Sequence, residues 1–244
     1  MVIRHGIPLR EGLLPGVWVE DPAELRDALA GLGLAESRPV LVLVGGASNL
    51  DPSVAETLLR LFESLAPRLD RAGAAVVDGA TAFGVMALMG LARHRTGARF
   101  PLLGVAAIGT VDVPTLGVGG PKGTATLDPH HSHGILVPGT CWGDESPWIS
   151  ATAAVLAGLR PSLTLVAAGG EVTRLDVAQS LGARRPLLVI AGSGGTADQL
   201  ARWRRGGEPP PGMSLDTMDL GLVRVLDLDG PDLVGGLVCA TLGV

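Results

Sequence analysis

Apolar residues in this chain fall in short uninterrupted runs: VLVLV at 40–44, AAVVD at 74–78, LLGVAA at 102–107, GILV at 134–137, LTLVAA at 163–168 and LLVIA at 187–191, with a weaker LVRVLDL at 222–228. A strand with one wet face alternates apolar and polar, whereas a continuous run suits a parallel strand covered on both faces. Between the runs lie stretches of helical spacing, at 51–72, about 81–96, about 145–159, 172–182 and 195–205. The first places Val54, Leu58, Leu61, Phe62 and Leu65 on one stripe. Strand and helix in alternation predict an α/β fold. The expected form is a single Rossmann-like, doubly wound, mostly parallel sheet of about seven strands, with helices on both faces.

Residues 1–39 read as an N-terminal extension of the same domain, ending in a short helix with Asp21 as cap and Pro22 as first helical residue. Residues 40–244 then form the main domain, and GGEPPPGMSLDTM at 206–218 reads as a surface connection. At 244 residues the chain can bury a core without disulfide or zinc staples. Cys141 and Cys239 fit no C-x-x-C pattern and read as two reduced thiols. No apolar run approaches a membrane span, and MVIRHGIPLREGLLPG lacks a signal-peptide core, so a cytoplasmic protein without a membrane partner is expected.

The formal charge is −5, from 24 acidic residues against 18 Arg and one Lys. That balance argues against nucleic acid as a partner, which requires a basic face. A small anion is still compatible, because backbone amides can hold one. The turns at the strand ends favour such a ligand. Gly45-Gly46-Ala47-Ser48-Asn49 comes after the first run, and Gly79-Ala80-Thr81-Ala82-Phe83-Gly84 after the second. Gly109-Thr110 and Gly139-Thr140 come after the next two, then Gly169-Gly170, and Gly192-Ser193-Gly194-Gly195-Thr196 after the sixth. In a parallel sheet all six turns share the edge outside the strands' carboxyl ends, where open α/β sheets bind ligands. Glycine lets amides converge, helix N-termini add positive partial charge, and Ser48, Thr81, Ser193 and Thr196 add hydroxyls. Glycines that merely make tight turns are the plain alternative for any one of these loops; six on one edge favour a ligand.

Individual motifs say less. Gly192-Ser-Gly194-Gly-Thr-Ala197 satisfies G-x-G-x-x-A but comes after the sixth strand, and Asp216, the acidic residue about 20 residues on, lies in the Pro-rich connection instead of at a strand's end. There is no Walker A motif and no G-x-S-x-G. His130-His131-Ser132-His133 could bind zinc, yet the segment just before a parallel strand lies on the edge opposite the turns, so a structural role for His133 and no metal are expected. Asp144-Glu145 could serve acid/base chemistry, but before Ser146-Pro147 they equally suit a helix start. Trp142 and Trp148 could stack on a base or cover the core.

The ordered segments VLVLVGGASNLD (40–51), VVDGATAFGVM (76–86), HHSHGILVPGT (130–140), LVAAGGEVTRLDV (165–177) and VIAGSGGTADQLA (189–201) resemble the LSDAT branch of the SLOG superfamily. The resemblance is to free-standing prokaryotic relatives of the N-terminal cytosolic domain of melastatin-type TRP channels. It implies a binding or sensor protein for a nucleotide-derived ligand, such as ADP-ribose or an NAD metabolite, with no bound cofactor. The binding set it implies, taken with the turns, is Gly45, Gly46, Ala47, Ser48, Thr81, Gly84, Gly169, Gly170, Gly192, Ser193, Gly194, Gly195, Thr196 and Asp198. The alternative is a hydrolase of such a ligand, similar to the superfamily's phosphoribohydrolases, with Asp198 or Glu145 as acid/base. Their P-G-G-x-G-T-x-x-E loop is only partly matched, because Ser193 replaces a glycine and Gln199 the glutamate. An NAD-dependent oxidoreductase is a third reading. Ligand identity and homo-oligomer formation are left open by the sequence.

Overall fold

In the strand Val40–Gly45, Val40, Val42 and Val44 enter one buried cluster while Leu41 and Leu43 enter another. A period of two therefore sends an all-apolar run to both faces of the sheet, and both faces need helices to cover them. The computed structural model describes residues 3–4, 6–9, 12–46, 50–113, 124–213 and 219–243. The strands are β1 (Ile3–Arg4), β2 (Ile7–Pro8), β3 (Leu13–Leu14), β4 (Gly16–Trp18), β5 (Val40–Gly45), β6 (Ala75–Asp78), β7 (Leu102–Ala107), β8 (His133–Val137), β9 (Ser162–Ala167), β10 (Leu187–Ala191) and β11 (Val223–Asp227). The helices are α1 (Leu25–Gly31), α2 (Pro52–Arg71), α3 (Gly84–Thr96), α4 (Ser146–Ala157), α5 (Glu171–Gly182), α6 (Gly195–Arg204) and α7 (Pro231–Leu242). None of them is long and apolar enough to cross a membrane.

Among the described residues the main sheet has nine strands in the order β1-β4-β8-β7-β6-β5-β9-β10-β11. Only the β1–β4 pair is antiparallel. The seven runs read from the sequence form β5 to β11. The two extra strands come from the N-terminal extension, where β4 continues the sheet beside β8 (Val17 opposite Ile135) and α1 buries Leu25 and Leu29 in the core. Helix α7 is not expected from the sequence, because Gly235 and Gly236 interrupt its pattern, yet Val234, Val238 and Leu242 are buried.

From β5 the chain steps outward through β6, β7 and β8, then returns to lay β9 on the other side of β5. The helices match that reversal. α2, α3 and α7 cover the face of Leu41 and Leu43, while α1, α4, α5 and α6 cover the face of Val42 and Val44. The strand order thus switches between β5 and β9, and the turns leaving those two strands diverge to open a crevice.

The histidine run is less remote from that crevice than its position before β8 suggests. β6 ends early, at Asp78, and His131 reaches it. His131 Nε2 is 2.7 Å from Asp78 Oδ1 and its Nδ1 is 2.8 Å from Asp128 Oδ2, all three side chains being buried. Burial alone would lower the imidazole's pKa, but the two carboxylates outweigh it and push it up to about 9. Both ring nitrogens are engaged, leaving no lone pair for a metal. The ion triad joins the 128–131 turn to the end of β6, where Asp78 also accepts from the Ala80 amide at 2.9 Å. His133 Nδ1 meets the neighbouring Ser132 hydroxyl at 2.8 Å.

Removing the imidazole strands two buried carboxylates, so His131→Ala is expected to cost about 3–5 kcal/mol in urea unfolding at pH 6. With its folded pKa raised, His131 contributes fully below its unfolded value near 6.5, and the contribution is lost as pH rises through about 9. Over that window wild type should lose stability that His131→Ala does not.

Candidate functional site

The walls of the crevice are turns held against one another by backbone. A Cβ on Gly45 would stand 2.0 Å from the Ala167 carbonyl oxygen, and one on Gly195 would stand 2.1 Å from that of Gly169. Only glycine permits either approach. The Gly46 amide donates to Ala167 O at 3.1 Å, and Gly46 O accepts from Val85 N at 3.0 Å, tying the head of α3 to the turn after β5. Between the turns after β9 and β10, Thr196 N donates to Gly169 O at 2.9 Å and Ala197 N to Ala168 O at 3.0 Å.

These bonds redistribute the roles expected of the Gly192–Asp198 loop. The first-turn amides of α6 at Thr196 and Ala197 are spent on the turn after β9 and are closed to a ligand. The Ser193 hydroxyl accepts from Ala168 N at 2.8 Å and donates to Ile190 O; that of Thr196 donates to Gly170 O at 2.8 Å. Both hydroxyls are therefore structural. Asp198 Oδ1 accepts from Gly192 N at 2.7 Å, which makes Asp198 a brace of its own loop. The amides of Gly194 and Gly195 have no acceptor among the described residues. Neither do those of Glu171 and Val172, at a start of α5 that no side chain caps.

Two cavities open along this edge and meet at Gly170. The first, about 510 Å³, is lined by Leu43, Gly45, Thr81, Phe83, Met86 and Ile149, with Trp142 at its mouth and the start of α5 along one wall. Phe83 and Trp142 are 49% and 46% exposed, an unusual state for rings of this size, and one that leaves their faces free. The second cavity, about 450 Å³, is lined by Gly46, Gly169, Gly170, Gly192, Ser193, Gly194, Gly195 and Asp198, with Asp51 at its side. Of the residues expected from the sequence, Gly45, Thr81 and Gly170 thus border the first cavity, and most of the glycine loop the second. Gly84 and Thr196 border neither, and Ala47 and Ser48 lie outside the described residues. Trp148 packs on the core and only Trp142 faces the crevice. No lysine or arginine lines either cavity among the described residues.

The chemistry of the first cavity sits on two buried carboxylates. Glu145 precedes α4 but makes no cap bond; its Oε2 accepts from Gly143 N at 3.0 Å, and the loop is braced by Asp144, which accepts from Thr140 N and Cys141 N. Burial raises the Glu145 pKa against the Gly143 amide, which lowers it. Asp176 stands on α5, 8% exposed, its Oδ1 without a partner among the described residues. Burial, opposed by Ser146 and helped by the charge of Glu145, pushes it up to about 7. Sequence reasoning missed Asp176, although a signal exists. Thr173, Asp176, Val177, Ser180 and Leu181 form the buried stripe of α5, so a carboxylate occupies a core position of an amphipathic helix.

A family model described as SLOG in TRPM, prokaryote, matches residues 38–234, covering β5 to β11 and the whole crevice. No curated protein matches the chain. Among solved structures the chain is similar to the X-ray structure of TM1055, a structural genomics target, at 16% identity and a TM-score of 0.50. The match covers 82% of this chain and 99% of that one, and it supports the fold.

An aspartate whose folded pKa is raised favours folding only while protonated. Its stability is fully present below about pH 4 and lost as pH rises through about 7. Asp176→Asn removes that loss. It should match wild type in thermal melts at pH 3.5 and exceed it at pH 8, by on the order of 2–4 kcal/mol. Lower stability of the variant at pH 8 would contradict this assignment.

Proposed function

The chain belongs to the family described as SLOG in TRPM, prokaryote, and from that membership and the paired cavities we propose that it binds a nucleotide-derived ligand across the switch in strand order. ADP-ribose and related NAD metabolites are the leading class. The observation that carries this reading is the junction at Gly170, where an apolar cavity with two free aromatic faces meets a glycine-lined one. Each has the volume of an ordinary small-molecule site, and together they span a ligand with two unlike halves.

Electrostatics orients that ligand. Phosphates belong at the glycine-lined end, where the unpaired amides of Gly194 and Gly195 supply donors, and the uncapped start of α5, just beyond Gly170 on the wall of the first cavity, adds positive partial charge at the junction. The opposite orientation would press phosphate onto Glu145 and Asp176. The nucleoside end then stacks on Trp142 or Phe83, and the buried carboxylates accept from its hydroxyl or amino donors.

A side chain at Gly170 tests this without disturbing the fold, because a Cβ there meets nothing within 4 Å and φ is −119°, outside the left-handed region. ADP-ribose at 100 times its Kd should stabilise wild type by about 2.7 kcal/mol. In titration calorimetry Gly170→Val should bind at least tenfold more weakly while melting as wild type does. Equal binding by the two proteins would remove the crevice from consideration.

A further inference from the structure

The first cavity is more polar at its inner end than stacking requires. Asp176 and Thr81 line it from α5 and from the turn after β6, and each is more than nine-tenths buried with an unpartnered oxygen, Oδ1 and Oγ1 respectively. Glu145, equally buried, lines the same space, and Glu171 stands exposed on its wall. A buried oxygen left without a donor is costly, so this end of the cavity awaits a group that bonds to it.

The sign of that group follows from its surroundings. Glu145, Glu171 and Asp176 are the titratable groups of the described lining, and all three are acidic. The charge of Glu145 works against ionisation of Asp176. Neutral hydroxyl or amino donors would pair the oxygens and leave that repulsion in place, whereas a cation offsets it. The aromatic rings act in the same direction. Phe83 and Trp142 leave their faces free, a ring face is the negative side of its quadrupole, and a cation freed of water is attracted to it. The positive end of α5 lies at the Gly170 junction, beside the phosphates of the proposed binding mode.

We propose that the first cavity is a cation subsite, which selects a nucleotide derivative carrying a positively charged ring at one end and phosphates at the other, as oxidised NAD carries its pyridinium. The inference rests on the proposed binding mode and deepens it, because it ranks the candidate ligands by charge. Reduced NAD has the same phosphates and nearly the same size with a neutral ring, and ADP-ribose lacks the ring. Both are the weaker ligands. Burial keeps Asp176 protonated near neutrality, and a cation beside it favours the carboxylate, so a proton leaves as the charged ring enters. Affinity for oxidised NAD therefore rises with pH through about 7.

The test is titration calorimetry with oxidised NAD, reduced NAD and ADP-ribose at pH 6.5 and 8.5, and at pH 7 in two buffers of different ionisation enthalpy. Wild type should bind oxidised NAD at least tenfold more tightly than either of the others at pH 8.5, with a smaller margin at pH 6.5. At pH 7 it should release protons to the buffer with oxidised NAD and none with reduced NAD. Glu145→Gln and Asp176→Asn should each cut the preference for the oxidised form to threefold or less, while binding reduced NAD within threefold of wild type. Reduced NAD bound as tightly as oxidised NAD, or a preference that survives intact in both variants, would overturn the cation subsite and leave the binding reading standing. Binding of none of the three would overturn both.

Discussion

The crevice depends on backbone meeting backbone where β5 and β9 part. The carbonyls of Ala167, Ala168 and Gly169 each accept from a neighbouring turn, at Gly46, Ala197 and Thr196. Two of those contacts hold only because Gly45 and Gly195 have no side chain. Glycine here serves the protein's own close packing before it serves any ligand. With the turns locked in this way the Thr196 and Ala197 amides of α6 are spent and only that of Gly195 stays open, whereas the start of α5 faces the crevice with its first amides unpaired. The division of the edge into an apolar and a glycine-lined cavity comes from the same geometry.

Much of this was legible in the chain. Seven apolar runs gave the central strands, and the glycines after them marked the edge that carries the crevice. The β5–β9 reversal was not legible, because strand order is decided by which helices can cover which faces, and no local pattern encodes that. The strands β1 and β4, two and three residues long, left no periodicity to read. Side-chain roles were the hardest. Ser193 and Thr196 look like ligand donors in sequence, but their neighbours in space are carbonyls and an amide of adjacent turns. Asp176 looks like one more helix residue until its place on the buried stripe is noticed.

Two buried clusters of titratable groups follow opposite logic. Around His131 a cation sits between two carboxylates, and the triad fixes the turn that delivers Thr81 to the crevice. At Glu145 and Asp176 two carboxylates share a cavity with no cation among the described residues that line it. The first arrangement is complete in itself and belongs to the fold. The second is incomplete, which is the mark of a site that expects a ligand or a proton.

The orientation of the ligand ties these features together, and a crystal structure of the protein with ADP-ribose tests it directly. The account predicts diphosphate density against the Gly194–Gly195 turn and the start of α5, with the adenosine or terminal ribose reaching past Gly170 to Asp176 and Glu145. Diphosphate oxygens against those carboxylates, or ligand density away from the β5–β9 crevice, would contradict it.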